Sequence, residues 1–303
     1  MNKIVNIIKP TGMTSHDVVS AVRRILNTKK VGHTGTLDPD ASGVLPICIG
    51  KATKVSELIL NKDKSYICEL TLGITTDTYD SSGEIIDRVD NVKFSEEEIE
   101  KAFDTQRGNV NQLPPMYSAL KVNGKRMCDL VRSGRADEIN LKTRPVNIKE
   151  LEILSINENK IMFHVTCSKG TYVRSICFDV GQSLGCGGHM SFLLRTASGK
   201  FDLENGITIE QLEEFKNNGT LEKYLYDIDY VLSNFKHLVI HPNAEKYYIN
   251  GGAIDERRFL EKSFDKNDEF VRVYSDKNEF IGVGKLSKKD NTISVKSDKL
   301  FMV

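Results

Sequence analysis

No stretch of the 303-residue sequence approaches the roughly 20 consecutive apolar residues that a helix needs to span a bilayer. Met1 to Pro10 alternates lysine with short apolar pairs and lacks the continuous hydrophobic stretch of a cleavable signal. The expectation is a cytoplasmic protein with no membrane partner. The six cysteines (Cys48, Cys68, Cys128, Cys167, Cys177 and Cys186) contain no C-x-x-C pair, which argues against a disulfide framework or a paired-cysteine zinc site. Most have apolar neighbours, as in Pro46-Ile47-Cys48-Ile49, and read as reduced, buried thiols. His189 near Cys186 is too small a ligand set for a metal. G-x-G-x-x-G, H-E-x-x-H and G-x-S-x-G are all missing. Gly43 to Lys51 looks like a phosphate loop only at a glance, since Ala52 stands where Ser or Thr would bind magnesium. Hydride transfer, P-loop hydrolysis and zinc chemistry therefore lack their usual parts. There is no internal repeat or low-complexity tract.

What is present is an ordinary globular composition, 39% apolar and 28% charged. The length favours one large and one small domain. Lys and Arg balance Asp and Glu, giving a formal net charge of zero. Phosphate binding depends on local cation density rather than on that sum. Basic clusters occur at Arg23-Arg24 with Lys29-Lys30, from Lys121 to Arg135, and from Lys142 to Arg144, while acids such as Glu96-Glu97-Glu98 segregate elsewhere.

Ile4 to Ile8 reads as a short buried strand ended by Lys9-Pro10-Thr11-Gly12. Thr14 with Asp17 marks a helix start, and Val18, Val19, Val22, Ile25 and Leu26 form its apolar stripe. A glycine-punctuated loop, Val31 to Pro39, runs into an apolar strand at Val44 to Ile49, and Lys51 to Leu60 reads as helix. Tyr66, Cys68, Leu70 and Leu72 recur with period two, which indicates a strand. Ser95 with Glu98 opens a helix carrying Ile99 and Phe103. Strands follow at Val146 to Ile156 and Ile161 to Cys167, then a helix near Thr171 burying Val173, Ile176, Cys177, Val180 and Leu184. Elements without a regular βαβ repeat predict an α+β fold. A boundary is expected near Asn234-Phe235-Lys236. Beyond it, strands at Val271 to Tyr274 and Phe280 to Lys285 and turns at Asp268, Lys277-Asn278 and Asp290-Asn291 suggest a small β-rich domain.

The chemistry converges on Asp38, an acid between Leu37 and Pro39 in that loop. Pro39 biases it towards extended backbone, and Gly32 and Gly35 permit tight turns or close approach of a ligand. Spacing alone leaves a nucleophile, a base and a turn-capping residue open, and favours the cap.

The longer strings carry more. Lys9-Pro10-Thr11-Gly12-Met13-Thr14-Ser15 is followed by Gly32-His33-Thr34-Gly35-Thr36-Leu37-Asp38-Pro39-Asp40-Ala41-Ser42-Gly43-Val44-Leu45-Pro46. Then come Ala52-Thr53-Lys54, Lys64-Ser65-Tyr66, Thr76-Asp77-Thr78, Met116-Tyr117-Ser118-Ala119-Leu120-Lys121 and Cys167-Ser168-Lys169-Gly170-Thr171-Tyr172-Val173-Arg174. In this order they closely resemble the bacterial TruB family of tRNA pseudouridine synthases, over about residues 4 to 232. The resemblance implies a mixed or antiparallel-sheet catalytic domain at 1–235 with a thumb-like RNA-binding insertion at 118–142. A weaker match implies a PUA-like RNA-binding domain at 236–303.

The implied substrate is the uridine at position 55 in the T arm of tRNA, modified with no cofactor, no metal and no obligatory protein partner. The resemblance makes Asp38 the catalytic carboxylate. Attack at C1′, attack at C6 and proton removal from C2′ all remain open to it. Arg174 matches the arginine that pairs with it. Tyr66 matches the tyrosine that stacks on the flipped base and whose hydroxyl assists at C5, and Tyr172 and Leu193 match further pocket residues. His33 matches the residue that fills the space vacated in the T loop. Lys121, Lys125, Arg126, Arg132 and Arg135 would contact phosphates. Two readings compete: a guide-dependent synthase subunit, and an RNA chaperone without chemistry.

Overall fold

The computed structural model describes residues 1–122, 124–265, 267–289 and 292–302. Most of the chain is arranged around one ten-stranded sheet. Its main path runs Leu225–Tyr226, Ile4–Lys9, Ser42–Ile49, Gly188–Ser198, Lys64–Leu72, Lys160–Cys167, Arg144–Asn157 and Gly108–Gln112. Two short strands are attached at the side, Val31–His33 on Ser42–Ile49 and Phe201–Asp202 on Gly188–Ser198. The pairings are antiparallel except where Ser42–Ile49 meets Gly188–Ser198 in parallel. The expected mixed α+β architecture is therefore found.

At the parallel junction Gly43 has φ +109, and a Cβ there would lie 2.2 Å from the Arg195 carbonyl oxygen. Only glycine lets the two halves of the sheet meet at that point. Ser42–Ile49 is apolar almost throughout because both of its faces are covered. Leu45, Ile47 and Ile49 pack with Val18, Val19 and Val22 of the Ser15–Ile25 helix, while Val44 and Cys48 pack with Ala52, Val55 and Ile59 behind. On the other half, helix Val173–Ser183 places Ile176, Cys177 and Val180 against Cys68, Leu70, Phe163 and Val165.

The expected helix starts at Thr14 and Ser95 are complete capping boxes, with Asp17 and Glu98 reaching back to the cap. Leu26 and Leu184 sit at helix C-caps and are only partly buried. Lys51 to Leu60 splits into a 3₁₀ segment, Gly50–Val55, and one short α-helix, Ser56–Leu60. Gly188–Ser198, which the sequence did not announce, lies near the centre of the sheet. Register shifts between Met190 and Phe192 and between Arg195 and Ala197 break its alternation. All six thiols are free and five are buried, Cys128 being partly exposed. The His189 ring contacts the Ile74 carbonyl at 3.0 Å.

A second sheet of six strands runs Ile254–Asp255, Thr292–Leu300, Phe280–Lys289, Phe270–Tyr274, His237–Ile240 and Phe259–Lys262, and helix Pro242–Ile249 packs into its core. This is the expected β-rich C-terminal unit. The turn expected at Asp290-Asn291 lies outside the described residues. The two sheets share a hydrophobic cluster in which Ile4, Val44 and Ile59 meet Val283 and Phe301. Arg272 adds a 2.9 Å bond to the Asp229 carboxylate across this junction. Among the described residues no helix is long and apolar enough to cross a membrane.

Candidate active site

The loop from Thr34 to Ala41 is held at almost every residue. Thr34 donates its N–H and its hydroxyl to the Pro46 carbonyl at 3.1 and 3.2 Å. Gly35, rather than Gly32, takes the positive φ, +140. The Arg195 guanidinium lies behind the loop, donating to the carbonyls of Gly35 at 3.3 Å, Thr36 at 3.5 Å and, on its sheet side, Val44 at 2.6 Å. Ser15, at the start of its helix, clamps Leu37 by accepting from its N–H at 2.9 Å and donating to its carbonyl at 3.2 Å. The fully buried Lys9 donates to the carbonyls of Pro10, Met13 and Pro39 at 2.8, 2.6 and 3.0 Å. Buried polar groups must be bonded to be tolerated, so this network fixes the loop rather than decorating it. Burial of Lys9 lowers its pKa to about 8.

Asp38 is carried at the open end of this loop. Arg174 grips it from the first turn of helix Val173–Ser183, with Nε 3.1 Å from Oδ2 and Nη2 3.3 Å from Oδ1. The arginine side chain is 8% exposed and the aspartate 38%, so the cation forms the floor and the carboxylate faces the opening. The remaining arginine donors are also used. Nη2 donates to the Tyr117 carbonyl at 3.2 Å and Nη1 to the Thr78 carbonyl at 3.1 Å, and Asp80 Oδ2 lies 3.2 Å from Nη1 as an ion pair. Three hydrogen bonds and two close carboxylate oxygens leave the guanidinium little freedom to rotate.

Asp80, the second carboxylate, was not singled out in the sequence. It accepts from the Thr78 hydroxyl at 2.7 Å, the Ser82 N–H at 3.0 Å and the Ser82 hydroxyl at 2.6 Å. The polar turn Thr78-Tyr79-Asp80-Ser81-Ser82-Gly83 was the available signal. Burial raises the Asp38 pKa above its ordinary value. Arg174 and Lys9 oppose that rise, while Asp80 and Asp40 add to it.

Of the other expected residues, Tyr66 and Tyr172 stand near this pair, Leu193 packs with Leu37 of the loop, and His33 lies on the strand that leads into it. Tyr66 stands on Lys64–Leu72, buried beside Arg195, and burial pushes its phenol up to about 12. Tyr172 is the N-cap residue of the Arg174 helix, and burial raises its phenol too, an effect that nearby Ser118 and Arg174 oppose. Leu193 packs in the cluster that includes Leu37, Tyr66 and Val173. His33 accepts the Gly35 N–H on Nδ1 at 3.3 Å, and burial with nearby Arg195 lowers its pKa. Its imidazole is therefore neutral at pH 7.

The basic clusters differ in their surroundings. Arg23 donates to the Val31 carbonyl at 3.0 Å and Arg24 pairs with Glu213 at 3.2 Å, so both already serve the fold. Lys121, Lys125, Arg126 and Arg135 line an open cleft of about 550 Å³ around the short helix Met127–Arg132, and Arg132 is not among its lining residues. Arg126 pairs with Asp129 at 2.7 Å, and Arg135 pairs with Glu138.

The mixed sheet that carries this pair has the same overall fold as solved pseudouridine synthase relatives. The structure of a Cbf5–Nop10–Gar1 complex matches with TM-score 0.77 and 28% identity over 99% of this chain and 85% of that one. The structure of an H/ACA RNP bound to a substrate RNA containing 2′-deoxyuridine matches with TM-score 0.76 and 26% identity at the same coverage. The fold is that of the pseudouridine synthases, a class of isomerases.

Residues 23–173 match the TruB family pseudouridylate synthase N-terminal domain, and residues 174–233 match the tRNA pseudouridylate synthase B C-terminal domain. The tRNA pseudouridine synthase B of Clostridioides difficile (strain 630) is 76% identical, covering 100% of both chains. That of Alkaliphilus oremlandii (strain OhILAs) is 48% identical, over 96% of this chain and 95% of the relative. The chain belongs to the TruB family of pseudouridylate synthases.

Proposed function

We propose that this protein isomerises uridine 55 in the T arm of tRNA to pseudouridine. The observation that carries the reading is the Arg174 fork on Asp38 at the mouth of an immobilised loop. Such a carboxylate is oriented before substrate arrives, and the Arg174 charge opposes the upward pKa shift that its burial causes. The reaction breaks N1–C1′ and forms C5–C1′. The proton leaves C5 and N1 gains one, so the product is an isomer and no redox partner is required. Asp38 is the group that acts on the detached or reacting nucleoside, at C1′, C6 or C2′.

A uridine stacked in the T loop must first be flipped out, at a cost of a few kcal/mol. Stacking on Tyr66, on the order of 1–3 kcal/mol, offsets much of that. With its phenol pushed up to about 12, Tyr66 meets the base as a neutral ring, and its oxygen can assist at C5 only as an uncharged acceptor. Tyr172 and Leu193 complete the pocket, and the neutral His33 ring fills the gap left in the T loop. Residues 1–235 form the catalytic domain and 236–303 a PUA-like RNA-binding domain. The insertion at 118–142 closes on the T loop, with Lys121, Lys125, Arg126, Arg132 and Arg135 on phosphates.

The test is to incubate the purified protein alone with an unmodified tRNA transcript, then map pseudouridine by carbodiimide labelling and primer extension. One new stop at position 55 is expected. A stop only elsewhere, or a requirement for a guide RNA or added protein, would overturn the reading.

A further inference from the structure

Tyr172 is the N-cap of the helix that carries Arg174, yet no side chain of its own caps that helix. The first turn is fixed from outside, by Gln112. This residue ends the edge strand Gly108–Gln112 and is 2% exposed. Its Oε1 accepts the Tyr172 N–H at 2.8 Å, and its Nε2 donates to the Tyr172 carbonyl at 3.0 Å. That carbonyl also accepts the helical N–H groups of Ser175 and Ile176 at 3.1 and 3.3 Å.

A primary amide is the one side-chain group of this length that offers a donor and an acceptor side by side. A carboxylate would face the carbonyl with a second acceptor, and asparagine is one methylene too short. Gln112 thus pairs with Tyr172 much as a neighbouring strand would, but through its side chain.

The same segment makes further ties to the same turn. Ser175 donates its hydroxyl to the Leu113 carbonyl at 2.8 Å, and Arg174 Nη2 donates to the Tyr117 carbonyl at 3.2 Å. That Nη2 is also the nitrogen 3.3 Å from Asp38 Oδ1. The position of the helix start therefore decides whether the Arg174 fork meets Asp38 with both prongs.

We infer that Gln112 is a positioning residue for the reaction, setting through the Tyr172 main chain the register in which Arg174 grips Asp38. Its side-chain hydrogen bonds go to the Tyr172 main chain and not to Asp38. The inference rests on the proposed role of Asp38, and its test is arranged so that the two can fail separately.

Gln112→Met keeps nearly the same volume and removes both hydrogen bonds, and Gln112→Ala removes the volume as well. Single-turnover pseudouridine formation on tRNA with enzyme in excess is expected to fall about tenfold or more in both variants. A misplacement near 1 Å in a site can cost on the order of a hundredfold. Affinity for tRNA is expected to stay within about twofold, because Gln112 is 2% exposed and offers RNA almost no surface. If Gln112→Met matches wild type in rate, the residue serves packing only and the inference falls. Should the alanine variant melt early, the methionine variant carries the comparison.

A second readout needs no RNA: the Asp38 carboxyl titration followed by ¹³C NMR. The charged groups acting on Asp38 are Arg174 and Lys9, which lower its pKa, and Asp80 and Asp40, which raise it; the neutral phenols of Tyr66 and Tyr172 stand beside it. Only Arg174 and Tyr172 are carried by the clamped turn. Losing the clamp weakens the Arg174 effect, so the Asp38 midpoint is expected to move upward in Gln112→Met. An unmoved midpoint would overturn the inference. If wild type makes no pseudouridine in tRNA but the midpoint still moves, the functional reading fails and the positioning role stands.

Discussion

The Asp38 loop and the 118–142 insertion are both rich in polar groups, and they hold them in opposite ways. The cations that hold the loop come from neighbouring strands and are buried and bonded to main-chain carbonyls. Lys9 is 0% exposed and Arg195 1%, and each holds carbonyls of the loop itself. In the insertion, the cations are exposed and their partners are local, Arg126 with Asp129 and Arg135 with Glu138, three residues along the chain. Buried networks are costly to disturb, whereas exposed ion pairs contribute about 0 to 1 kcal/mol. The first region is built to be rigid before substrate arrives. The second keeps its charges available to an anionic partner that can displace weak local pairs.

If that contrast is right, substitutions should separate cleanly into losses of chemistry, of stability and of RNA affinity. The largest effect is expected from Arg174→Lys, which keeps the charge but loses the fork. Turnover should fall by about a hundredfold or more while tRNA affinity changes little. In wild type, the acid limb of kcat/KM should lie above the ordinary aspartate value of 3.8, since burial raises the Asp38 pKa and activity is lost as the carboxylate is protonated below it. An acid limb at or below 3.8 would show that Asp38 is more open to solvent than its surroundings indicate.

Lys9→Met should come next, as a loss of stability. It removes the one buried donor shared by the Pro10, Met13 and Pro39 carbonyls, and chemical denaturation should show a loss of about 1 to 3 kcal/mol. A change below about 0.5 kcal/mol would mean that the loop is not held from beneath. The smallest effect on folding is expected from Arg135→Ala, whose exposed local pair should leave the denaturation midpoint almost unchanged. Its signature should instead be a salt dependence of tRNA binding reduced by about one phosphate contact. A large stability loss there would erase the contrast between the two regions.

Much of this was legible from the sequence, for reasons that can be named. The capping boxes at Thr14 and Ser95, the period-two strand at Tyr66 and the two-sided apolar strand at Val44 obey local rules, and they form as expected. Gly188–Ser198 escaped because its two register shifts destroy alternation, although it lies near the centre of the sheet. Asp38 and Arg174, 136 residues apart, were joined by resemblance and not by spacing. Asp80 and Gln112 were missed because their importance lies in what they touch. One is a turn acid and the other a strand-end amide, and neither residue type marks a site until the chain brings it to Arg174 or Tyr172.

The most direct test of the Asp38 assignment replaces only its charge. With tRNA carrying tritium at C5 of uridine, wild type should release tritium as the new carbon–carbon bond forms. Asp38→Asn, folded and binding tRNA as well as wild type, should release none above background. Release by that variant at a rate near wild type would contradict the account.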